Sequence, residues 1–248
     1  MTGASLLDFE WHLPHGVHAA FTTRRGGVSG APWDSLNLGA HVGDDPAHVA
    51  ANRARVRELL GLDADPAWLN QVHGVEVADL DVPVPASVAT ADAAVTSDAG
   101  RACAIMVADC LPVLFASRDG RRIGAAHAGW RGLAAGVLEK TLAALDVPAA
   151  DLTAWLGPAI SRAHFEVGGE VREAFVAADA GAAAEFVPNA RGRWQADLAG
   201  LARRRLAALG VADVHGGEWC TFADRGRFFS HRRDGKGGRM AALIWRDR

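Results

Sequence analysis

Three side chains that bind borderline-soft metals lie close to apolar runs of this sequence. Cys110 and His127 stand 17 positions apart, each at the end of a predicted buried strand, and His73 lies upstream in the segment Asn-Gln-Val-His-Gly. Thiolate and imidazole groups are good zinc ligands. Catalytic zinc usually has three protein ligands and a fourth position for water, whereas structural zinc normally has four protein ligands. We therefore predict that His73, Cys110 and His127 hold a catalytic metal ion.

The chemistry of such a site follows from its charge. Zinc bound by the Cys110 thiolate and two imidazoles would lower the pKa of a bound water from about 15.7 toward about 7, an effect that the thiolate reduces. The site could form hydroxide to attack an electron-poor carbon, or it could orient an anionic nucleophile such as phosphate. Two other interpretations stay open. Cys110 and His127 could be a metal-free nucleophile–base pair for amide hydrolysis, or the site could be structural in a binding module.

Six motifs, in this order along the chain, resemble those of the bacterial laccase-domain family, also called the YfiH-type family or the peptidoglycan editing factors. The motifs are SLNLG (35–39), NQVHG (70–74), ADCLP (108–112), HAGWRG (127–132), LGPAI (156–160) and FSHRRDG (229–235). The resemblance covers nearly the whole chain, from about Val17 to Trp245.

The resemblance implies a fold, an activity and a ligand set. The implied fold is an α/β sandwich of the type shared with some cysteine hydrolases. The implied activity is phosphorolysis of adenosine, inosine and methylthioadenosine, together with deamination of adenosine. His73, Cys110 and His127 each occupy their motif positions, so the resemblance implies that they are the metal ligands and catalytic residues, with zinc as the cofactor.

The resemblance also carries two alternative activities. Members of the family are widely labelled copper polyphenol oxidases, and thiolate and imidazole ligands do bind copper. A four-electron oxidase needs several metal sites, however, and the other histidines show no His-x-His pairing, so we favour the nucleoside activity. The family is also associated with removing a wrongly incorporated amino acid from a cell-wall precursor, which a Cys110–His127 hydrolase would fit.

Length and composition indicate a soluble globular protein. The 248 residues suffice for one large domain, which we place at residues 1–248, and half of them are hydrophobic. A net charge of −3 gives no reason to expect a nucleic-acid or membrane partner. Three cysteines cannot all pair, and the N-terminal residues do not resemble a signal peptide. We expect a cytoplasmic monomer whose partners are a purine nucleoside and phosphate.

The apolar patterns predict a mixed β-sheet flanked by helices. A first helix is expected to open at Asp45-Pro46, with Asp45 as its N-cap. Whether residues 111–116 continue the strand before Cys110 or begin another is left open. Other strands are predicted at 17–23, 68–72, 91–96, 152–156, 211–214 and 241–245, and other helices at 131–145 and 196–209.

Three cationic or titratable side chains are candidates for binding substrate or phosphate. The resemblance makes Arg53 a candidate for contacting an anion. Arg131 lies at a glycine-bracketed helix N-terminus, where free N–H groups also attract anions. His231 lies in a polar turn, residues 230–235, that we expect at the rim of the pocket.

Two carboxylates have open roles. Asp92 lies among small apolar residues and could cap a turn or strand, or it could orient a ligating imidazole. Asp109 is one candidate for the acid that assists departure of the purine, although strand alternation would point it away from Cys110. The sequence does not identify that acid.

Overall fold

A six-stranded mixed sheet lies beside the three predicted metal ligands. The computed structural model describes residues 5–82 and 88–248. The strands are Val17–Phe21 (β1), Val77–Asp79 (β2), Ala93–Thr96 (β3), Ala102–Val107 (β4), Leu111–Ser117 (β5), Ile123–Ala128 (β6), Leu152–Leu156 (β7), Glu166–Val167 (β8), Phe186–Pro188 (β9), Trp194–Ala196 (β10), Asp213–Gly216 (β11) and Met240–Arg246 (β12). The α-helices are Pro46–Leu59 (α1), Trp130–Ala135 (α2), Val137–Leu145 (α3), Gly169–Val176 (α4), Leu198–Ala208 (α5) and His231–Asp234 (α6).

Strand pairing makes the large sheet mixed. Its order is β11-β7-β5-β6-β3-β2. The neighbours β7, β5, β6 and β3 are antiparallel to one another, whereas β2 and β11 run parallel to β3 and β7. A three-stranded sheet, β1-β12-β4, packs on one face, and β8, β10 and β9 form a small third sheet. The predicted fold class, a mixed sheet flanked by helices, is confirmed.

Side-chain alternation along β5 explains the layers. Val113 and Phe115 belong to a core shared with α3 and α5, whereas Leu114 and Ala116 belong to a second core shared with β4 and β12. A third cluster packs Val56 of α1 against the outer face of β4 and β12. Because both faces of β5 are covered, its sequence is continuously apolar and does not alternate.

Three sequence-based expectations need correction. Residues 131–145 do not form one helix, because Gly136 takes a left-handed conformation (φ 101°) that ends α2 and precedes α3. Residues 68–72 form no strand, because the side-chain amide of Gln71, not its backbone, pairs with the backbone of Met106 at 2.8 and 2.9 Å. The predicted polar turn at 230–235 contains the short helix α6.

Other local predictions agree with the structure. The Asp45 carboxylate accepts the Ala47 N–H at 2.8 Å, so α1 begins with the expected N-cap followed by Pro46. Residues 111–116 begin a new strand, β5, which belongs to a different sheet from β4. Within residues 5–82 and 88–248, none of the helices is both long and apolar enough to span a bilayer. The single domain and the likeness to cysteine hydrolases stay predictions.

Candidate active site

The antiparallel pairing of β5 and β6 brings Cys110 and His127 together. Cys110 directly precedes β5, and His127, near the end of β6, is paired with Pro112. His73 approaches from the loop before β2. The candidate ligand atoms of the three residues all lie within 4.8 Å of one another. The Cys110 Sγ atom is 3.8 Å from His73 Nε2, and the two imidazole rings have centroids 4.8 Å apart.

Asp92 connects the two histidines. Its Oδ1 atom lies 2.8 Å from His127 Nδ1, which leaves Nε2 of that ring for a metal or for Cys110. The same carboxylate accepts the backbone N–H groups of Val72, His73 and Gly74 at 3.1, 2.9 and 2.6 Å. Both roles considered for Asp92 are therefore present: it fixes a turn, and it orients an imidazole.

Two residues at the site have strained backbone conformations. His73 has φ 62° and Asp109 has φ 93°, values that residues with a side chain adopt infrequently. The three N–H groups held by Asp92 keep His73 in this conformation. Such strain is concentrated at functional sites, where the surrounding contacts outweigh its cost.

Gly129 and Gly132 allow the chain after β6 to approach the site closely. A Cβ atom on Gly129 would lie 2.9 Å from Cys110 Sγ and 3.2 Å from His73 Cδ2, and one on Gly132 would lie 2.8 Å from the Gly74 carbonyl oxygen. Any larger residue at either position would displace the backbone or a candidate ligand.

Electrostatics favour a thiolate–imidazolium pair in the metal-free protein. Burial by itself raises the pKa of the Cys110 thiol, but the nearby His127 and His73 rings outweigh it and lower that pKa to about 6. Burial likewise opposes the charged form of His127, and the Cys110 and Asp92 anions raise its pKa to about 9. His127 is buried, Cys110 is half-buried and His73 is exposed, so the cluster opens to solvent on the His73 side.

The three residues open into a cavity of about 410 Å³. Arg131, Arg232 and Arg239 supply positive charge to its walls, and Trp130, Met106, Val107, Ile160 and Phe165 supply apolar surface. His41 also lines it, and its pKa lies below the ordinary value because of burial and the nearby guanidinium groups of Arg239 and Arg53. The cavity therefore combines an anion-attracting region with apolar walls, as a site for a small polar ligand does.

Of the three predicted anion-binding residues, Arg131 and His231 line the cavity and Arg53 does not. Arg131 lines the cavity with its guanidinium 4.4 Å from the Trp130 ring centroid, and His231 lines it with Nδ1 2.7 Å from the Gly235 carbonyl oxygen. Arg53 lines a neighbouring cavity instead. Its guanidinium donates twice to the Leu38 carbonyl oxygen, at 3.0 and 2.8 Å, and lies over Trp68.

Sequence reasoning did not single out four polar residues of the cavity, namely His41, Gln71, Arg232 and Arg239, although it placed the turn that contains Arg232 at the rim. Gln71 and Arg232 lie within the recognised motifs NQVHG and FSHRRDG. Their closeness in sequence to His73 and His231 could therefore have indicated that they line the same cavity. His41 and Arg239 lie outside the quoted motifs and carry no local signal, because only the fold brings them to the cavity.

Asp109 lines the cavity but is fully engaged. Its Oδ1 atom accepts the Thr221 hydroxyl at 2.6 Å, and Oδ2 accepts the Ser230 hydroxyl at 3.0 Å and the Arg232 N–H at 2.6 Å. Both carboxylate oxygens of Asp109 therefore already accept hydrogen bonds from the protein itself. Asp109 therefore anchors the segment that carries His231 and Arg232.

The donor set fits a single tetrahedral metal ion. Bonds of roughly 2.0–2.3 Å at tetrahedral angles separate ligand atoms by about 3.5 Å. The Cys110–His73 separation is 3.8 Å, and all three candidate atoms lie within 4.8 Å of one another, so small side-chain shifts would bring them to one ion. The link from Asp92 to His127 is the outer-sphere contact that ligating histidines usually make. Within the described part of the chain, this is the one group of three or more His, Cys, Asp or Glu residues close enough to share an ion.

Comparison with known proteins identifies the family. A family model described as multi-copper polyphenol oxidoreductase laccase matches residues 18–247. A purine nucleoside phosphorylase of Pseudomonas aeruginosa is 57% identical over 96% of this chain and 97% of its own, and the purine nucleoside phosphorylase YfiH of Escherichia coli is 51% identical over 98% and 99%. The crystal structure of a Neisseria meningitidis protein superposes with a TM-score of 0.93 at 47% identity, covering 99% of this chain and 100% of that one. The chain belongs to the laccase-domain, YfiH-type family.

Proposed function

We propose that this protein is a purine nucleoside phosphorylase. The observation that carries the proposal is the cluster of His73, Cys110 and His127 in the lining of a cavity with cationic and apolar walls. The names of the Pseudomonas and Escherichia relatives, which match nearly full length, support the same activity.

In phosphorolysis, a phosphate oxygen forms a bond to C1′ of the ribose while the bond from C1′ to the purine nitrogen breaks. The bond's electron pair leaves with the purine, which must then be protonated or otherwise stabilised. Arg131, Arg232 and Arg239 would hold the phosphate, because guanidinium groups match phosphate oxygens in geometry and charge. Phe165 and Ile160 would pack against the purine.

We propose zinc as the resident metal, held by His73, Cys110 and His127. When bound, zinc would supply Lewis-acid stabilisation of developing negative charge and a water of lowered pKa. Asp92 would keep His127 in the tautomer that presents Nε2 to the ion. The same site would account for deamination of adenosine, which requires attack by water at the carbon that bears the exocyclic amine.

Copper remains the alternative metal, because thiolate and imidazole ligands also bind it. A multi-copper oxidase needs several ions close together, and one three-residue group in the described residues does not supply them. We further propose that the protein acts as a cytoplasmic monomer without a nucleic-acid partner. The net charge of −3 supports only the absence of a nucleic-acid partner.

Chromatography of adenosine incubated with the purified protein tests the activity. Adenine release that requires phosphate, stops with chelator and is restored by zinc is the expected result. Cys110→Ala should abolish adenine release. Cys103 is a free thiol buried in the core between the sheets, so Cys103→Ala is the control and should leave the turnover of folded protein unchanged. If adenosine survives under every condition, the proposal is wrong. Formation of inosine would measure the deaminase activity separately.

One observation favours a second candidate, amide hydrolysis of a cell-wall precursor. Asp92, His127 and Cys110 lie in the order acid, base and nucleophile, which is the arrangement of a cysteine hydrolase. Alkylation of Cys110 would then stop hydrolysis of the amide whether or not metal is present, and chelator would not. Chelator-sensitive adenosine cleavage without amide turnover would exclude it.

A further inference from the structure

A second, larger depression with cationic walls lies beyond the active-site cavity. It has a volume of about 610 Å³, and its charged side chains are Arg24, Arg25, Arg225 and Lys236 against the two carboxylates Asp34 and Asp234. We call it the basic depression. Its excess of positive charge contrasts with the net charge of −3 of the whole chain.

The carboxylates neutralise only part of this charge. Arg24 pairs with Asp34 at 3.3 Å, and Asp234 pairs with Arg225 at 3.6 Å and with Arg233 at 2.7 Å. Within the part of the chain that the structure describes, Arg25 and Lys236 form no ion pair. The Arg25 Nε–H group donates to the Gly226 carbonyl oxygen, and the residue is otherwise exposed. The Lys236 ammonium lies 4.9 Å from the Trp33 ring centroid.

Lys236 joins the basic depression to the active-site cavity. A cavity of about 320 Å³ lies between them, and it shares Lys236 with the basic depression and His41, His231 and Arg239 with the active-site cavity. The residues on each side of Lys236 contact active-site side chains directly. The Gly235 carbonyl oxygen is 2.7 Å from His231 Nδ1, and the Gly237 carbonyl oxygen accepts from Arg239 Nη1 at 3.2 Å. The three cavities therefore adjoin one another through shared lining residues, and we call this series of cavities the groove.

We propose that this groove binds the polyphosphate chain of a nucleoside polyphosphate whose nucleoside part occupies the active-site cavity. The inference rests on the proposed function for the placement of the nucleoside, and on the groove itself for the polyphosphate. A chain of phosphates leaving the cavity past Arg239 meets Lys236 and then Arg25, whose charges are uncompensated. Guanidinium and ammonium groups are the side chains that bind phosphate best.

The proposal predicts that a nucleoside diphosphate binds more tightly than the free nucleoside and competes with it. The added affinity comes from electrostatic attraction between the phosphates and solvent-exposed cationic side chains. Salt screens this attraction, so the added affinity should fall as salt concentration rises. Inorganic tripolyphosphate, which lacks the nucleoside, should bind through the same cationic side chains and more weakly than a nucleoside polyphosphate.

Isothermal titration calorimetry with the full chain tests the proposal, with ADP, ATP, adenosine and tripolyphosphate as probes. ADP should bind at least about tenfold more tightly than adenosine at low salt. Arg25→Gln and Lys236→Gln should each weaken ADP binding by roughly two- to fivefold, as expected for exposed ion pairs, and should leave adenosine turnover unchanged. Lys140→Gln, which removes the other lysine of the chain from an exposed position on α3, is the matched control and should change nothing.

The outcomes separate this proposal from the phosphorylase proposal. If adenosine is cleaved but ADP binds no more tightly than adenosine, or binds equally to Arg25→Gln and Lys236→Gln, the groove is not a polyphosphate site and the phosphorylase proposal stands. If ADP binding depends on both residues but adenosine is not cleaved, the groove proposal stands alone. Tripolyphosphate that binds as tightly as ATP and is indifferent to adenosine would separate the groove from the nucleoside site and overturn the inference.

Discussion

Asp92 and His127 lie opposite each other where the β3–β6 ladder ends. The ladder pairs Ala93 with Ala126, so the next position outward places Asp92 beside His127, whose N–H donates to the Asp92 carbonyl oxygen at 2.7 Å. Side chains opposite each other on antiparallel strands share a face, and here they meet with Oδ1 2.8 Å from Nδ1. The position of His127 in the site is therefore a consequence of sheet register.

Asp92→Asn should weaken metal binding and destabilise the turn that carries His73. An Asn side chain cannot accept with both of its terminal atoms, so at least one of the N–H groups now bound by Asp92 loses its partner. Loss of the charged partner of a ligating histidine typically lowers metal affinity by about 10- to 100-fold, and a lost buried hydrogen bond costs about 1–3 kcal/mol. Competition with a chromophoric chelator measures the first effect, and thermal denaturation measures the second.

The control for Asp92→Asn is Asp63→Asn, because Asp63 is an exposed carboxylate whose partner is Arg248 at 3.4 Å. That variant should retain both the metal affinity and the stability of the parent. Equal metal affinity in Asp92→Asn and the parent would refute the positioning role of Asp92.

The part of the site that the sequence predicts is the part encoded by short-range patterns. His73, Cys110 and His127 each stand beside an apolar segment inside a recognisable motif, and the structure brings the three together. The N-cap at Asp45 is equally local, because it depends on one side chain and the helix that follows. The strands around Cys110 are predictable because their continuous apolar sequence fits burial on both faces.

The features of the site and fold that the sequence did not predict depend on packing between segments that are distant along the chain. His41 and Arg239 reach the cavity only because the loop after Leu38 packs against the start of β12, where the Leu38 N–H donates to the Arg239 carbonyl oxygen at 3.0 Å. The break at Gly136 cannot be inferred from periodicity, because the apolar positions on both sides keep helical spacing. Arg53 was predicted to bind an anion, but packing places its guanidinium against the Leu38 carbonyl oxygen and the Trp68 indole ring instead.

Alkylation of metal-stripped protein should show an unusually acidic thiol. As the pH rises through about 6, the Cys110 thiolate forms, so the rate of reaction with iodoacetamide should reach half its maximum there and not near 9. His127→Ala should shift this midpoint upward, because the imidazolium that stabilises the thiolate is gone. Mass spectrometry of digested protein identifies the modified residue.

Cys103 provides the internal control in the same experiment. It is fully buried on β4, and burial raises the pKa of its thiol, so it should stay unmodified while the protein is folded. A midpoint for Cys110 near that of an ordinary cysteine would contradict the thiolate–imidazolium pair.

Metal analysis should find one ion per chain in protein prepared without chelator. His73→Ala should reduce the bound metal sharply, by at least about 100-fold in affinity, because it removes one of the three proposed ligands. Since His73 is exposed, the variant should still fold. His215→Ala, which removes a histidine paired with Asp213 on the edge strand β11, should keep its metal. Two or more copper ions per chain would support the oxidase alternative instead.

Gly129→Ala should inactivate the site without unfolding the protein. The added methyl group would lie 2.9 Å from Cys110 Sγ, so either the thiol or the backbone before α2 must move, and the three proposed ligands could then no longer converge on one ion. We expect loss of metal and at least about a hundredfold loss of adenosine turnover, with near-parent circular dichroism. Gly30→Ala is the matched control, because its Cβ would meet no atom within 4 Å and its φ lies outside the range that disfavours side chains. If Gly129→Ala binds metal and turns over adenosine as well as Gly30→Ala does, the close approach of the chain at Gly129 is not required by the site.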